Sequence, residues 1–216
     1  MSVTTPLTLL GAALLGYTLG ALPTGVLACR LAGAPDVRTV GSGHTGGTNV
    51  ARATGRAWIG ALSGLGDLAK AAAAVLLARL WCPGAVPGPG WAGAVAGAAA
   101  VVGHNWSAYI GFRGGVGLST LVGMLAAQAP LPTAGALAVA VPLWLGARRL
   151  LRHDARSTAL TMVLVVPLLA LAGAPLPALA SGLLGALAVA AREVGDWRRE
   201  YRAGESFTEQ LTGRQG

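Results

Sequence analysis

Residues 1–29, MSVTTPLTLLGAALLGYTLGALPTGVLAC, contain no lysine, arginine, aspartate or glutamate. A run of about 20 apolar residues is what a helix needs to cross the hydrocarbon of a bilayer. A secretory leader would begin with basic residues, so this stretch is expected to remain as a first membrane span, at 6–30. Six further apolar segments follow at 57–80, 90–109, 117–130, 132–147, 157–173 and 175–191. The fourth and fifth are short and crowded by Pro130, Pro132 and Pro142, so one or two spans are expected to be tilted, partial or broken. The 216 residues are 54% hydrophobic and only 11% charged, with 33 glycines, which excludes an ordinary soluble globule. Small residues in that proportion suit helices packed closely within a membrane. Cys29 and Cys82 lie at the ends of different spans, with no disulfide framework and no metal-ligand spacing, and read as inert packing residues.

The charges orient the chain. With the N-terminus outside and seven crossings, the inward loops are 31–56, 110–116, 148–156 and the tail from 192. Those loops, with Arg30 at their edge, hold fourteen of the sixteen lysines and arginines, as the positive-inside rule requires. The exceptions are Arg79, beside an outward loop, and Lys70, within a span. The net charge of +8 therefore speaks of topology and anionic partners, and not of nucleic acid. The expected fold is an all-α integral membrane domain of seven transmembrane helices, N-terminus out and C-terminus in, with residues 1–216 forming one polytopic domain. Asp67 and Lys70, three apart in the second span, can meet on one helix face, as a structural pair or as a pair facing a site.

Two loops on the inward side carry chemistry. The first is Gly41-Ser42-Gly43-His44-Thr45-Gly46-Gly47-Thr48-Asn49-Val50-Ala51-Arg52. Its glycines allow successive N–H groups to converge on an anion, its hydroxyls add donors, and Arg52 adds a fork that fits phosphate oxygens. The second, residues 103–120, groups His104, Arg113, Gly114, Gly115 and Gly117 ahead of Thr120. If Gly115 to Thr120 opens a helix, its first N–H groups favour an anion as well. Two such loops on one face are placed to close on a phosphate from opposite directions.

In order along the chain, Asp36-Val37-Arg38, Gly-Ser-Gly-x-x-Gly-x-Thr-Asn-Val-x-Arg, Asp67-x-x-Lys70 and Gly-His…Phe-Arg-Gly-Gly-x-Gly resemble the bacterial acyl-phosphate:glycerol-3-phosphate acyltransferases, the PlsY family. The resemblance runs from Gly16 to about Glu205. It implies a seven-helix enzyme of the bacterial plasma membrane, its motif loops near 33–56, 103–120 and 192–205 facing the cytoplasm. The implied reaction moves a fatty acyl group from acyl phosphate to the 1-hydroxyl of glycerol 3-phosphate, giving lysophosphatidic acid and phosphate at the start of phospholipid synthesis. The implied partners are those two substrates and membrane lipid, without cofactor or metal. Ser42 and Arg52 match the catalytic positions. Gly41, Gly43, Thr48, Asn49, His104, Arg113, Gly114, Gly115, Gly117, Thr120, Arg199 and Glu205 are the expected substrate-binding residues.

This chain departs from the family at several points. His44 stands where the family usually has Asn, Gly47 where it has Ala, and Val116 where it has Lys. In the third motif, Glu193 and Asp196 replace His and Asn. Acids beside a phosphate repel it unless Arg192, Arg198 or Arg199 offsets them. The departures keep a second reading open, a re-purposed or non-catalytic relative that binds phosphorylated lipid or uses another acyl acceptor.

Overall fold

The computed structural model describes residues 4–82 and 90–198. Among them are nine α-helices: α1 Thr4–Gly20, α2 Thr24–Leu31, α3 Gly47–Thr54, α4 Ala57–Trp81, α5 Trp91–Asn105, α6 Leu118–Gln128, α7 Pro130–Leu151, α8 Asp154–Leu171 and α9 Leu176–Val194. No strand occurs among the described residues. Five stretches are long and apolar enough to cross a membrane, namely Pro6–Leu31, Ala57–Trp81, Pro130–Leu151, Asp154–Leu171 and Leu176–Val194. Helices α5 and α6, of 15 and 11 residues, rise about 22 and 16 Å.

The interior is built of small side chains and the large ones face outward. Ala12, Ala71, Ala74, Ala78, Ala96, Ala100, Val75 and Val101 are buried, while Leu7, Leu10, Leu14, Leu62, Leu65, Leu183 and Leu187 are exposed. Lipid tails are as apolar as leucine, so helices in a membrane associate through close backbone approach. Gly16 and Gly20, four residues apart on α1, meet Ala96 and Ala100 of α5 so closely that a Cβ at either position would fall within their backbone. Gly103 of α5 returns the contact against Tyr17. Two hydrogen bonds then lock the pair at the C-terminal ends of both helices: Tyr17 donates to the Trp106 carbonyl at 2.7 Å, and Ser107 donates to that of Ala21 at 2.6 Å.

The first span is not continuous. The expected segment 6–30 breaks at residues 21–23, before α2. Pro23 has no N–H for the ladder and biases Leu22 away from helix. A broken helix in an apolar surrounding needs partners for the carbonyls it releases, and α4 supplies one. Lys70 donates to the Leu22 carbonyl at 2.7 Å. Thr24, the first residue of α2, donates to Asp67 at 2.5 Å. Asp67 and Lys70 do meet, at 2.8 Å.

The region between α7 and α8 also departs from expectation. A loop over 148–156 and a span over 132–147 were expected. Instead α7 starts at Pro130, a ring pre-set for the first turn, continues through Pro142 and ends at Leu151. Only Arg152, with φ of 49°, and His153 separate it from α8. Arg148 is drawn in by a 2.5 Å ion pair with Asp154 and by stacking 4.5 Å from the Trp144 ring.

Arg79, expected beside an outward loop, has an internal task. Its guanidinium donates to the carbonyls of Ala127 and Gln128 at 3.0 and 3.5 Å, capping the C-terminus of α6.

The α1–α5 contact is the tightest small-residue seam in this bundle. Gly16→Leu and Gly20→Leu are each expected to destabilise the protein by at least about 1–3 kcal/mol, the usual cost of overpacking. Thermal unfolding in detergent checks this, with Gly146→Leu, a helical position where nothing lies near the added atom, as the control.

Candidate functional site

Both glycine-rich loops border one cavity of about 240 Å³. Ser42, Gly46, Thr48, Asn49 and Arg52 line one wall, and Gly117, Leu118 and Ser119 the other, with Asp67 and His104 between them. Helices α3 and α6 both begin at this cavity, so two helix N-termini bring partial positive charge to it. Gly117 makes the second start possible. Its φ is 96°, and a Cβ there would collide with the Asn105 side chain. α6 opens at Leu118, within the stretch expected to open a helix.

Asn49 organises the first wall. It is 3% exposed, and its side-chain nitrogen donates to Ser42 Oγ at 2.8 Å and to the His44 carbonyl at 2.9 Å. Its Oδ1 accepts from Arg52 at 2.7 Å. One buried amide therefore sets both the hydroxyl and the guanidinium that the sequence singles out. Gly41 and Gly43 do not line the cavity but shape the turn, with φ of 54° and 75°. A Cβ on Gly41 would meet Asn49 Oδ1 at 2.5 Å and Arg52 Nη1 at 2.7 Å.

The base of the loop is held by Asp36 and Arg38. Asp36 caps the short turn Val37–Thr39, accepting from the Arg38 N–H at 2.9 Å, and pairs with its guanidinium at 2.7 Å. The side-chain hydrogen bond from Arg38, helped by the backbone one, holds the Asp36 carboxyl down to about 2. Arg38 also donates to the Ile110 carbonyl at 3.4 Å, bridging to the second loop.

His104, 5% exposed, is part of a buried cluster. Its Nδ1 lies 3.0 Å from Lys70 Nζ and 3.2 Å from Asp67. Its carbonyl accepts from the Gly115 N–H at 3.1 Å. Gly114 and Gly115 thus pack behind the cavity wall, where their carbonyls accept from Arg192 at 3.4 and 3.3 Å. Thr120 is fully buried behind that wall, and Arg113 is exposed; neither lines the cavity. Arg199 and Glu205 lie outside the described residues.

The altered third motif reaches the cavity, and one of its acids has a different partner from those expected. Glu193 and Asp196 both line it. Asp196 pairs with His44 at 2.7 Å; Arg192 donates to the second glycine loop while its charge still acts on Glu193 and Asp196, and Arg198 is exposed. The two departures thus meet. His44 and Asp196, 152 positions apart, form a close polar contact where the resembled family has two asparagines.

Four further residues line the cavity without having been singled out as site residues: Trp144, Arg148, Asp154 and Thr158. Trp144 donates to Thr158 at 3.1 Å. Beyond Trp144, Leu118 and Ser119, which border both spaces, runs an apolar groove of about 570 Å³ walled by α4, α6, α7 and α8. The signal in the sequence was a Trp and an Arg at i, i+4. Arg148 read there as an orienting loop charge.

The chain matches the family model described as glycerol-3-phosphate acyltransferase over residues 10–201. The glycerol-3-phosphate acyltransferase of Rubrobacter xylanophilus is 42% identical over 176 residues, covering 82% of this chain and 83% of that protein. That of Brucella anthropi is 40% identical over 162 residues, covering 75% and 74%. A crystal structure of PlsY (YgiH), an integral membrane glycerol 3-phosphate acyltransferase in its glycerol 3-phosphate form, matches with a TM-score of 0.67. It is 28% identical and covers 96% of this chain and 94% of that one. The lysophosphatidic acid form matches with a TM-score of 0.65 at 26% identity over the same shares.

The His44–Asp196 pair predicts a double-mutant cycle with a clear sign. His44→Asn and Asp196→Asn each lower the unfolding midpoint in detergent at neutral pH. The double variant recovers part of the loss, giving a coupling of about 0.5–1.5 kcal/mol for a partly exposed pair. Additive effects would refute the coupling.

Proposed function

The chain belongs to the glycerol-3-phosphate acyltransferase family, and from that premise we propose that it transfers a fatty acyl group from an acyl phosphate to the 1-hydroxyl of glycerol 3-phosphate at the cavity described above. The convergence of both glycine-rich loops on one polar cavity, continuous with an apolar groove, carries this reading. The polar end offers Ser42, Arg52 and two helix N-termini to phosphate oxygens. The groove offers apolar walls to an acyl chain, and its volume lies within the range of ligand sites.

The chemistry asks little of the protein beyond placement. The hydroxyl oxygen attacks the acyl carbonyl carbon, the bond from that carbon to the phosphate oxygen breaks, and the hydroxyl proton passes to the departing phosphate. The products are lysophosphatidic acid and inorganic phosphate. Acyl phosphate is already activated, so no protein nucleophile is needed. Alignment of the reactants and donors toward the developing oxyanion supply the acceleration. In this scheme Ser42 donates to a phosphate or the oxyanion, Arg52 clamps phosphate, and Asn49 fixes both. The His44 imidazole holds the Asp196 carboxylate at 2.7 Å, fixing where that altered third-motif side chain stands in the cavity wall.

The same reading extends to topology. We infer seven crossings, with the broken α1–α2 unit counted as one and the short α5 and α6 completing the set, in the bacterial plasma membrane. The cavity then faces the cytoplasm, the side that holds fourteen of sixteen cations. Of the two exceptions, Lys70 pairs with Asp67 and Arg79 caps α6. Neither therefore acts as a topological signal.

Purified protein given palmitoyl phosphate and glycerol 3-phosphate is expected to form lysophosphatidic acid, and to form none from palmitoyl-CoA or palmitoyl carrier protein. Ser42→Ala and Arg52→Ala are each expected to lower turnover by about 100-fold, the cost of losing one preorganised donor; full activity in both would overturn the scheme. Orientation is checked with Arg113→Cys in a background lacking Cys29 and Cys82. A membrane-impermeant maleimide is expected to label it in inverted vesicles and not in right-side-out ones.

A further inference from the structure

Acyl transfer from an acyl phosphate brings two phosphate groups into one site, and the described lining contains two arginines, Arg52 and Arg148. They stand in different settings. Arg52 belongs to the first glycine loop and is tied through Asn49 to Ser42. Arg148 belongs to the last turn of α7 and is 4% exposed. It is stacked 4.5 Å from Trp144 and holds Asp154 Oδ1 through Nε at 2.9 Å and Nη2 at 2.5 Å. Trp144 borders both the cavity and the apolar groove. Arg148 thus stands where the polar space becomes apolar.

Substrate chemistry assigns the two arginines. In an acyl phosphate the phosphorus is joined through a single oxygen to the carbonyl carbon that begins the chain. When the chain occupies the groove, its phosphate must sit at the junction. In glycerol 3-phosphate the phosphate lies at the far end of the three-carbon backbone from the reacting hydroxyl, away from the groove. We propose that Arg148 binds the phosphate of the acyl donor at the mouth of the groove, with Trp144 and Asp154 as its positioning residues, while Arg52 serves the phosphate of the acceptor. The assignment rests on the acyl-transfer reading above.

Three further facts favour it. Val116 on the same lining offers no charge, which leaves Arg52 and Arg148 as the arginines or lysines of the described lining. Asp154 is a partly solvated counter-ion, with a side chain 32% exposed, which water screens more than the arginine it holds. Burying an arginine beside an aromatic face also fixes the plane of its fork before any ligand arrives.

The test separates the substrates. In Arg148→Lys, which keeps charge but loses the planar fork, and in Arg148→Gln/Asp154→Asn, which leaves no orphaned buried charge, the KM for palmitoyl phosphate is expected to rise. The rise is about tenfold or more, with the KM for glycerol 3-phosphate moving less than about threefold. Arg52→Lys is expected to show the reverse split. Binding of hexadecylphosphonate, which cannot transfer, should weaken about tenfold in the Arg148 variants and not in Arg52→Lys. Unfolding midpoints in detergent, measured on every variant, identify any that fail to fold, and the judgement then rests on the other Arg148 variant. Unchanged donor KM and phosphonate affinity in folded Arg148 variants, or a shift confined to glycerol 3-phosphate, would overturn the assignment alone. Absence of transfer from palmitoyl phosphate by the unaltered protein would overturn the acyl-transfer reading and this assignment with it.

Discussion

A lysine ammonium buried among apolar helices must find a partner for its charge and its donors, and in this chain that requirement ties the structure together. Lys70 meets Asp67 at 2.8 Å, the Leu22 carbonyl at 2.7 Å and His104 Nδ1 at 3.0 Å. The first contact neutralises it, the second satisfies the break between α1 and α2, and the third reaches the end of α5. Unprotonated, Nδ1 accepts from Lys70; protonated, it donates to Asp67. From this knot the two motif loops hang in opposite directions. α2 leads to the first through Thr24 and Gly25, and the His104 carbonyl holds the second through the Gly115 N–H. Breaking a buried pair on one side strands the other charge, so the network is both a fastening and a source of rigidity for the site.

Around that knot the bundle relies on absence of side chain. Gly16 and Gly20 admit α5, Gly47 and Gly60 let α3 rest on α4, and Gly123 brings α6 against Leu68 of α4. The leucines left over face outward, where lipid would solvate them. Close approach brings the helix ends to one level around the cavity. The 41–52 loop, the start of α6 and the end of α9 converge there without a long connecting segment.

Much of this was legible in the residues. Local chemistry determines what the glycine loops can do, and a charge bias along the chain is visible without coordinates, so the loops, their shared face and the Asp67–Lys70 contact were all readable. Long-range pairings were not. His44 and Asp196 look like independent departures until the fold brings them to 2.7 Å, a partner beyond the neighbouring Arg192 that the sequence did offer. Arg148 was hidden by its surroundings. Four arginines between 148 and 156 read as one inward loop, and nothing local says that the first is withdrawn by Asp154 and Trp144. Pro23 was visible as a helix breaker, but that the break persists inside a span depends on Lys70 reaching it from 48 positions away.

The groove beyond Trp144 has a consequence for supply. One of its walls, α7, exposes Leu131, Val139, Val141 and Leu143, surfaces that suit lipid and not water. On the proposed reading, a donor with its tail in that groove would be drawn from the plane of the membrane, whereas a small phosphorylated acceptor would arrive from the aqueous phase. The encounter frequency of the first is then set by its mole fraction among lipids and falls on surface dilution, even when its amount per volume is constant. That of the second follows ordinary molarity. A single cavity would thus join a two-dimensional reservoir to a three-dimensional one, with Trp144, which borders both spaces, at the boundary between them.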